Sequence, residues 1–266
     1  QEETKNYLKL GVLVNVDSYD EFKWIERFAN ESKVTCRIGI RLNFNLSDNP
    51  SRFGIDIDDE RVQEIISRSN SSKFLSLESL HYHYAPRNLN TWKICMEKFV
   101  SFFSKIDSTV NDSLKFISLG GGMFSRMDEY IEEQLPFNIP SFKDYAKNSI
   151  KYLSDYFQIQ NESNLIKPEI LIEPGTALAS KAVDFAAQVV SIKKINDITY
   201  INTTGSKYNM NPSPNRVNSP IKILNYSPES SIKVKNGKLC GYTCIESDLI
   251  HKKFNGEISI RDIIIF

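Results

Sequence analysis

Four groups of residues in this chain carry chemistry, and each lies at or just past the end of a short apolar run. Gly120-Gly121-Gly122 follows Phe116–Leu119. Three glycines let the backbone approach a ligand closely and leave amide groups to hold an anion such as phosphate, although the same residues also suit a plain tight turn. His81-Tyr82-His83 closes the run Leu77–His83, and strand alternation puts both imidazoles on one face with Tyr82 on the other. Such a pair can bind a metal, move protons or stack on an aromatic ligand, with His81 the better candidate for a satisfied core histidine. Glu173-Pro174-Gly175 follows Ile170–Ile172. A carboxylate there can hold a protonated ring nitrogen, act as a base, or simply mark a surface turn. Cys244 with Glu246 and Asp248 offers a thiol and two acids for work on a substrate amine or carbon, while read alone it is a small residue beside solvated acids. The one other histidine, His251, does not complete a metal set.

The runs that end at these groups alternate with helical spacings. Val12–Val16, Cys36–Leu42, Leu77–His83, Phe116–Leu119 and Ile170–Ile172 are short and rich in β-branched residues, as expected of buried parallel strands. Phe22, Ile25 and Phe28 predict a helix that opens with a Ser18-x-x-Glu21 capping box. Trp92, Cys95, Met96, Phe99, Phe102, Phe103 and Ile106 predict a longer core-facing helix. Phe142, Tyr145, Ala146, Ile150, Leu153 and Phe157 predict another, starting near Ser141. Alternation of this kind argues for a parallel α/β architecture, and five strand–helix units fall short of the eight that close a (β/α)8 barrel. After Asp184 the texture changes to short strand-like runs, Ala187–Ile192, Thr199–Asn202, Ile221–Leu224, Ser231–Val234, Leu239–Cys244 and Ile263–Phe266. The expected organisation is a partial (β/α)8 TIM-like barrel over residues 1–184, lacking its first units. An all-β sandwich- or barrel-like C-terminal domain over 185–266 follows it, and it too is incomplete. Phe266 stands inside an apolar run, so both ends are expected to be cut.

Lys+Arg and Asp+Glu balance at 33 each, so no global field draws the chain to nucleic acid or an anionic membrane. Cys36, Cys95, Cys240 and Cys244 lack metal-site or disulfide-framework spacing. The start, Gln1-Glu2-Glu3-Thr4-Lys5, has no apolar run and no stretch is long enough to span a bilayer, which reads as a soluble cytoplasmic protein.

Taken in order, these segments resemble the fold-type III pyridoxal-phosphate-dependent decarboxylases, the family of diaminopimelate, ornithine and arginine decarboxylases. The likeness runs through GVLVNVDSYDEF (Gly11–Phe22), RLNF (Arg41–Phe44), SRFGI (Ser51–Ile55), LHYH, SLGGG, IEPG and GYTCIESD (Gly241–Asp248). It implies an amino-acid decarboxylase that uses pyridoxal 5'-phosphate. It also implies a homodimer, with sites shared between subunits and a small amino-acid substrate that is a basic or diamino acid or a conjugate. His83 would stack on the pyridine ring, Gly120, Gly121 and Gly122 would hold the phosphate, and Glu173 would keep the ring nitrogen protonated. Cys244 would reach in from the partner subunit to return a proton to carbon after CO2 leaves. Glu246 and Asp248 would meet the substrate, Asp248 at its distal amine. The chain departs from the family pattern at four places. No segment matches the family's lysine motif, and Ala85-Pro86 stand where Gly-Ser is usual, with Arg87 near enough to replace the lost phosphate contact. Thr176 takes the place of a phosphate-binding arginine. Ile245 stands where an acid is expected, Glu246 being shifted by one. Two other readings belong with these departures, a non-catalytic relative that binds a partner and an amino-acid racemase. Retention of Glu173 opposes both, since a binding protein needs no ring-nitrogen partner and racemases favour a weakly basic one.

Overall fold

The structure, a computed structural model, describes residues 2–48, 50–106, 113–159, 168–179, 182–210 and 217–266. The chain divides into two compact units, one of residues 1–124 and 140–177, the other of 125–139 and 178–266. Relative to a boundary after Asp184, the second unit starts a few residues earlier and takes in a segment from the middle of the first.

The first unit is a parallel sheet flanked by helices. Its strands are β1 (Val14–Val16), β2 (Cys36–Asn43), β3 (Ile55–Asp56), β4 (Leu75–His81), β5 (Phe116–Ser118) and β6 (Glu169–Leu171). They run in the order β1-β2-β4-β5-β6 with β3 on β2, and every pairing is parallel. This is the expected partial-barrel arrangement. Between strands lie α2 (Tyr19–Ser32), α3 (Glu60–Ser71) and α4 (Leu89–Phe103), after a short α1 (Glu2–Lys9). Ile38, Ile40, Leu77, Leu80 and Ile117 of the strands pack with Phe22, Ile25, Ile65, Met96 and Phe99 of the helices in one core. Burial of these faces is the main source of stability, at roughly 25 cal/mol per Å2 of apolar surface removed from water.

Caps fix where the helices begin. Ser18 Oγ accepts from Glu21 N at 3.2 Å, but Glu21 reaches back to Asp17 N at 2.8 Å, so the reciprocal arm of the expected box falls one residue early. Asn88 caps α4, and the predicted core residues, six within it from Trp92 to Phe103 and Ile106 just past its end, are all buried. The predicted helix from Ser141 starts with a complete Ser141/Asp144 box but breaks into Phe142–Lys147 and Ile150–Ile159. Ser149 Oγ bonds back to Tyr145 O at 2.7 Å at the break. Tyr145 and Leu153 are buried, whereas Phe142 and Ile150 lie exposed, and the side chain of Phe157 is outside the described residues. α3 was not anticipated, although an Asp59 cap followed by Val62, Ile65, Ile66 and Ser69 carries its signal.

The second unit holds β7 (Ala186–Ile195), β8 (Ile198–Thr203), β9 (Lys222–Leu224), β10 (Ile232–Cys240), β11 (Leu249–Ile258) and β12 (Ile263–Ile265), in the order β11-β10-β8-β7-β12-β9. All pairs are antiparallel except β8 with β10. Asn196 and Asp197, both at positive φ, close the β7–β8 hairpin. The two runs Ser231–Val234 and Leu239–Cys244 are one strand, β10, irregular between Val234 and Cys240, and residues 241–244 lie outside it. β11 was unforeseen because Lys252, Lys253, Asn255 and Glu257 dilute its apolar pattern. The segment 125–139 bonds within this unit through Gln134, whose amide pairs with Asn218 O at 3.0 Å and Asn218 N at 2.8 Å. Tyr130 stacks on His251, its hydroxyl 3.2 Å from Nε2. Among the described residues no helix is long and apolar enough to cross a membrane.

Two tyrosines in the core of the first unit differ in one respect. The Tyr82 hydroxyl is buried without a hydrogen-bond partner among the described residues, while Tyr84 Oη accepts from Phe44 N at 2.6 Å and donates to Asn43 Oδ1 at 3.0 Å. Tyr82→Phe is therefore expected to hold or raise stability, and Tyr84→Phe to cost about 1–3 kcal/mol by stranding a buried amide. Urea unfolding of both variants checks this, and equal losses would contradict it.

Candidate active site

Parallel pairing sets the site. His81 pairs with Ser118 across β4 and β5, and Ser118 with Leu171 across β5 and β6, so these three side chains share one face. Two residues further along each strand the same face presents His83, Gly120 and Glu173. Backbone bonds carry the pairing past the strand ends, from Tyr82 N to Ser118 O, Leu119 N to Leu171 O and Glu173 N to Gly120 O. Gly120, in the middle of the second row, has no side chain to separate its neighbours. A Cβ there would lie 2.4 Å from Tyr82 O and 2.8 Å from His83 Cα, and φ is +65°.

Glu173 is where the rows converge. Ser118 Oγ donates to its Oε1 at 2.9 Å, His81 Nε2 lies 3.2 Å from that oxygen, and His83 Nδ1 lies 3.8 Å from Oε2. The Glu173 side chain is 49% exposed and His81 only 7%. Burial holds the His81 imidazole below its ordinary range against the pull of Glu173, with Arg41 and His83 adding to the depression. His83 Nδ1 accepts the Gly121 amide at 3.0 Å, which places the proton of a neutral ring on Nε2. The Gly120 amide turns toward Ser118 Oγ at 3.4 Å. The amides of Gly120 and Gly121 thus bond inside the chain. Gly122, at φ +88°, leaves no room for a Cβ against Tyr84 O and passes its carbonyl to Trp92 Nε1 at 3.0 Å. Thr176 opens the short helix Thr176–Ala179 and is exposed. Arg87 sits 5.3 Å over the ring of Phe124, two residues past the glycines.

A cavity of about 850 Å3 opens onto these groups, lined by Arg41, Arg52, Phe53, His81, His83 and Glu173 among others. Its far wall explains the pairing of RLNF with SRFGI. Asn43 Nδ2 donates to Ser51 O at 2.9 Å and Phe53 O at 2.8 Å, and Arg41 and Arg52 both lie over the Phe53 ring, at 4.6 and 4.3 Å. Arg41 also pairs with Asp17 at 3.3 Å.

The second unit carries the fourth group on a loop. Cys244 and Glu246 are exposed, but Asp248 is 3% exposed. Its carboxylate accepts from Ser206 Oγ at 3.0 Å, Lys207 N at 2.9 Å, Thr243 Oγ1 at 2.7 Å and Thr243 N at 3.3 Å. Burial would raise its pKa, yet the bonds from Thr243, Lys207 and Ser206 outweigh that and hold it low. Asp248 does not stand with Cys244 and Glu246 as an open acid.

Comparison with known proteins fits this geometry. The family model "Pyridoxal-dependent decarboxylase, pyridoxal binding domain" matches residues 1–180. The chain belongs to that family. Diaminopimelate decarboxylase of Helicobacter pylori strain J99 is 24% identical over 266 residues, covering 95% of this chain and 60% of that protein. An L-glutamyl-[BtrI acyl-carrier protein] decarboxylase of Niallia circulans is 21% identical, covering 89% of this chain and 56% of its own length. Among solved structures, H. pylori diaminopimelate decarboxylase complexed with L-lysine superposes with a TM-score of 0.77 at 20% identity, over 100% of this chain and 64% of that one. The arginine decarboxylase of Paramecium bursaria Chlorella virus bound to agmatine gives 0.73 at 18%, covering 100% and 67%. The matches cover between 44% and 60% of the length of the curated relatives.

The cofactor that this domain implies is pyridoxal phosphate, and the residues present fit it. A half-exposed carboxylate with one oxygen anchored suits a ring nitrogen, and the cavity is of a size for a cofactor-sized ligand. The glycine turn permits close approach. Sequence reasoning missed Ser118, although its place two residues before Gly120 puts it on the glycine's face, and it missed Arg41 and Phe53 as cavity walls.

The depressed pKa of His81 has a consequence for acid stability. Its folded-state pKa is lower than its unfolded value, so below about pH 6.5 the unfolded chain binds more protons and stability falls. The contribution is present in full above that pH. Between pH 7 and pH 5 the parent is expected to lose more stability than His81→Gln, as read by urea unfolding at each pH. Parallel losses would place the titration elsewhere.

Proposed function

We propose that this chain forms the core of a pyridoxal-phosphate-dependent decarboxylase acting on a basic or diamino acid, or on a larger amino-acid conjugate. The observation that carries the reading is the Glu173 carboxylate, fixed by Ser118 at the strand ends with its second oxygen beside His83 at the cavity. Family membership and the substrates named for the relatives, a diamino acid, arginine and a glutamyl conjugate, support it.

When bound, the cofactor supplies a protonated ring able to accept the electron pair left by departing CO2. Glu173 would hold the ring-nitrogen proton, and the bond from Ser118 keeps its first oxygen in place so that the second can do so. His83, its Nδ1 tied to Gly121, presents a ring of fixed orientation to stack on the ligand. The phosphate would lie at the glycine turn. Because Gly120 and Gly121 spend their amides in the chain, its charge would fall to Gly122, Thr176 and Arg87, the last held on Phe124. Two cationic side chains, Arg41 and Arg52, face the same cavity and suit a substrate carboxylate. Cys244 returns the proton to carbon and Glu246 meets the substrate side chain, both on a loop supplied by a second copy in a homodimer.

The test is CO2 release from diamino acids, arginine and glutamyl conjugates in the presence of pyridoxal phosphate. With a substrate in hand, Glu173→Gln keeps the shape and removes the charge. The loss falls mainly in the transition state, so kcat should drop on the order of a hundredfold, more than cofactor retention does. His83→Ala should instead weaken retention. A single-turnover rate for Glu173→Gln within about twofold of the parent would remove Glu173 from the ring nitrogen.

A further inference from the structure

The loop bearing Cys244 is closed at its base. Gly241 N donates to Asp248 O at 2.8 Å, Asp248 N to Ile245 O at 2.8 Å, and Leu249 N to Ser247 O at 2.9 Å. Residues 242–247 therefore form a small ring whose tip, Cys244-Ile245-Glu246, is exposed. The Asp248 side chain turns away from that tip into the protein. It binds a neighbouring turn, Thr203–Tyr208, through Ser206 Oγ and Lys207 N, and it binds its own loop through both polar groups of Thr243. The same two segments are joined by Tyr242 N to Gly205 O at 3.0 Å, Thr203 Oγ1 to Cys240 O at 3.0 Å, and Lys207 Nζ to Ser247 Oγ at 3.0 Å. Gly241 is packed so closely that a Cβ there would lie 2.1 Å from Asp248 Oδ2.

A carboxylate with four donors, all from its own chain and buried to 3% exposure, has little acceptor capacity left for a substrate amine. An acid so placed works through the loop it fastens. We propose that Asp248 is a positioning residue, which locks Tyr242–Ser247 so that the Cys244 thiol and the Glu246 carboxylate are held as a fixed pair, and that it does not contact the substrate. The proposal rests on the reading of Cys244 as proton donor for its catalytic consequence, but the locking is a property of this chain alone.

Two perturbations disturb the same geometry from opposite sides. Asp248→Asn keeps the size and replaces an acceptor facing Thr243 with a donor. Gly241→Ala keeps the charge and drives a methyl against the carboxylate. In both, amide exchange over 241–249 by hydrogen–deuterium mass spectrometry should quicken about tenfold or more, because bonds to a charged group are lost at a local opening. Iodoacetamide labelling of Cys244, followed by peptide mass spectrometry, should change its pH profile in both, while exchange in β7 and β12 stays at parent values. Thr243→Ser, which retains the hydroxyl, should keep the parent's protection, and Thr243→Val should lose it. Unchanged exchange over 241–249 in both Asp248→Asn and Gly241→Ala would overturn the locking. For the catalytic part, turnover by the intact enzyme is compared on two substrates, one with a distal amine and one without. A positioning role predicts that Asp248→Asn lowers kcat alike for both with KM little changed, whereas a rise in KM confined to the amine-bearing substrate would put Asp248 on that amine and overturn the proposal. If Cys244→Ser leaves turnover at the parent level while the exchange results hold, the reading of Cys244 fails and the locking stands.

Discussion

Parallel pairing through His81, Ser118 and Leu171 governs most of what the first unit can do. Parallel strands keep paired residues on one face, and the next residues of that face lie two further on. Three strand ends therefore deliver His83, Gly120 and Glu173 side by side, without any long loop having to be ordered. A side chain at the middle position would run into the Tyr82 carbonyl and the His83 backbone. With Gly120 there the strand ends pack closely, and an imidazole and a carboxylate lie within 3.8 Å of one another. The glycine run is thus required first by the packing of the chain on itself. Any role toward a phosphate is laid over that requirement.

Much of this was legible from the residues. The five parallel strands are announced by short β-branched runs, and both His81 and His83 fall on the face that alternation assigns. Ser18 and Ser141 announce helix starts through a short side chain placed three residues before an acid, although the acid of the first reaches Asp17. What failed has physical causes. A 3.6-residue stripe cannot reveal that Ser149 bonds back to Tyr145 and interrupts the helix. β10 runs through Asn236 and Gly237, residues that normally punctuate, because Asn236 takes positive φ at an irregularity of the ladder. β11 pairs along polar residues that periodicity discounts. Asp248 reads as a solvated acid because its donors Ser206 and Lys207 lie about forty residues away in the chain.

The two carboxylates show how position sets the work of one functional group. Glu173 has one oxygen anchored and the other at a cavity, so half of its capacity stays available to something that is not this chain. Asp248 is buried and its oxygens are taken up by Ser206, Lys207 and Thr243 of its own chain. Arg37 and Lys115 treat Glu78 in the same way, at the middle of β4. There the carboxylate is 4% exposed and bonded at 2.7–2.9 Å.

The residues from 125 to 139 leave the first unit after Phe124 and the chain returns to it at Pro140. Gln134 bonds to Asn218, which is 84 residues further along the chain. A ribosome adds roughly 5–20 residues per second, so that segment waits on the order of ten seconds before Asn218 follows it. The first unit can therefore be complete as far as residue 177 while the excursion between β5 and the helix at Phe142 still waits for its bonds to Asn218. The second unit, by contrast, is supplied by the backbone in two separate stretches and can close only after the later one has been made.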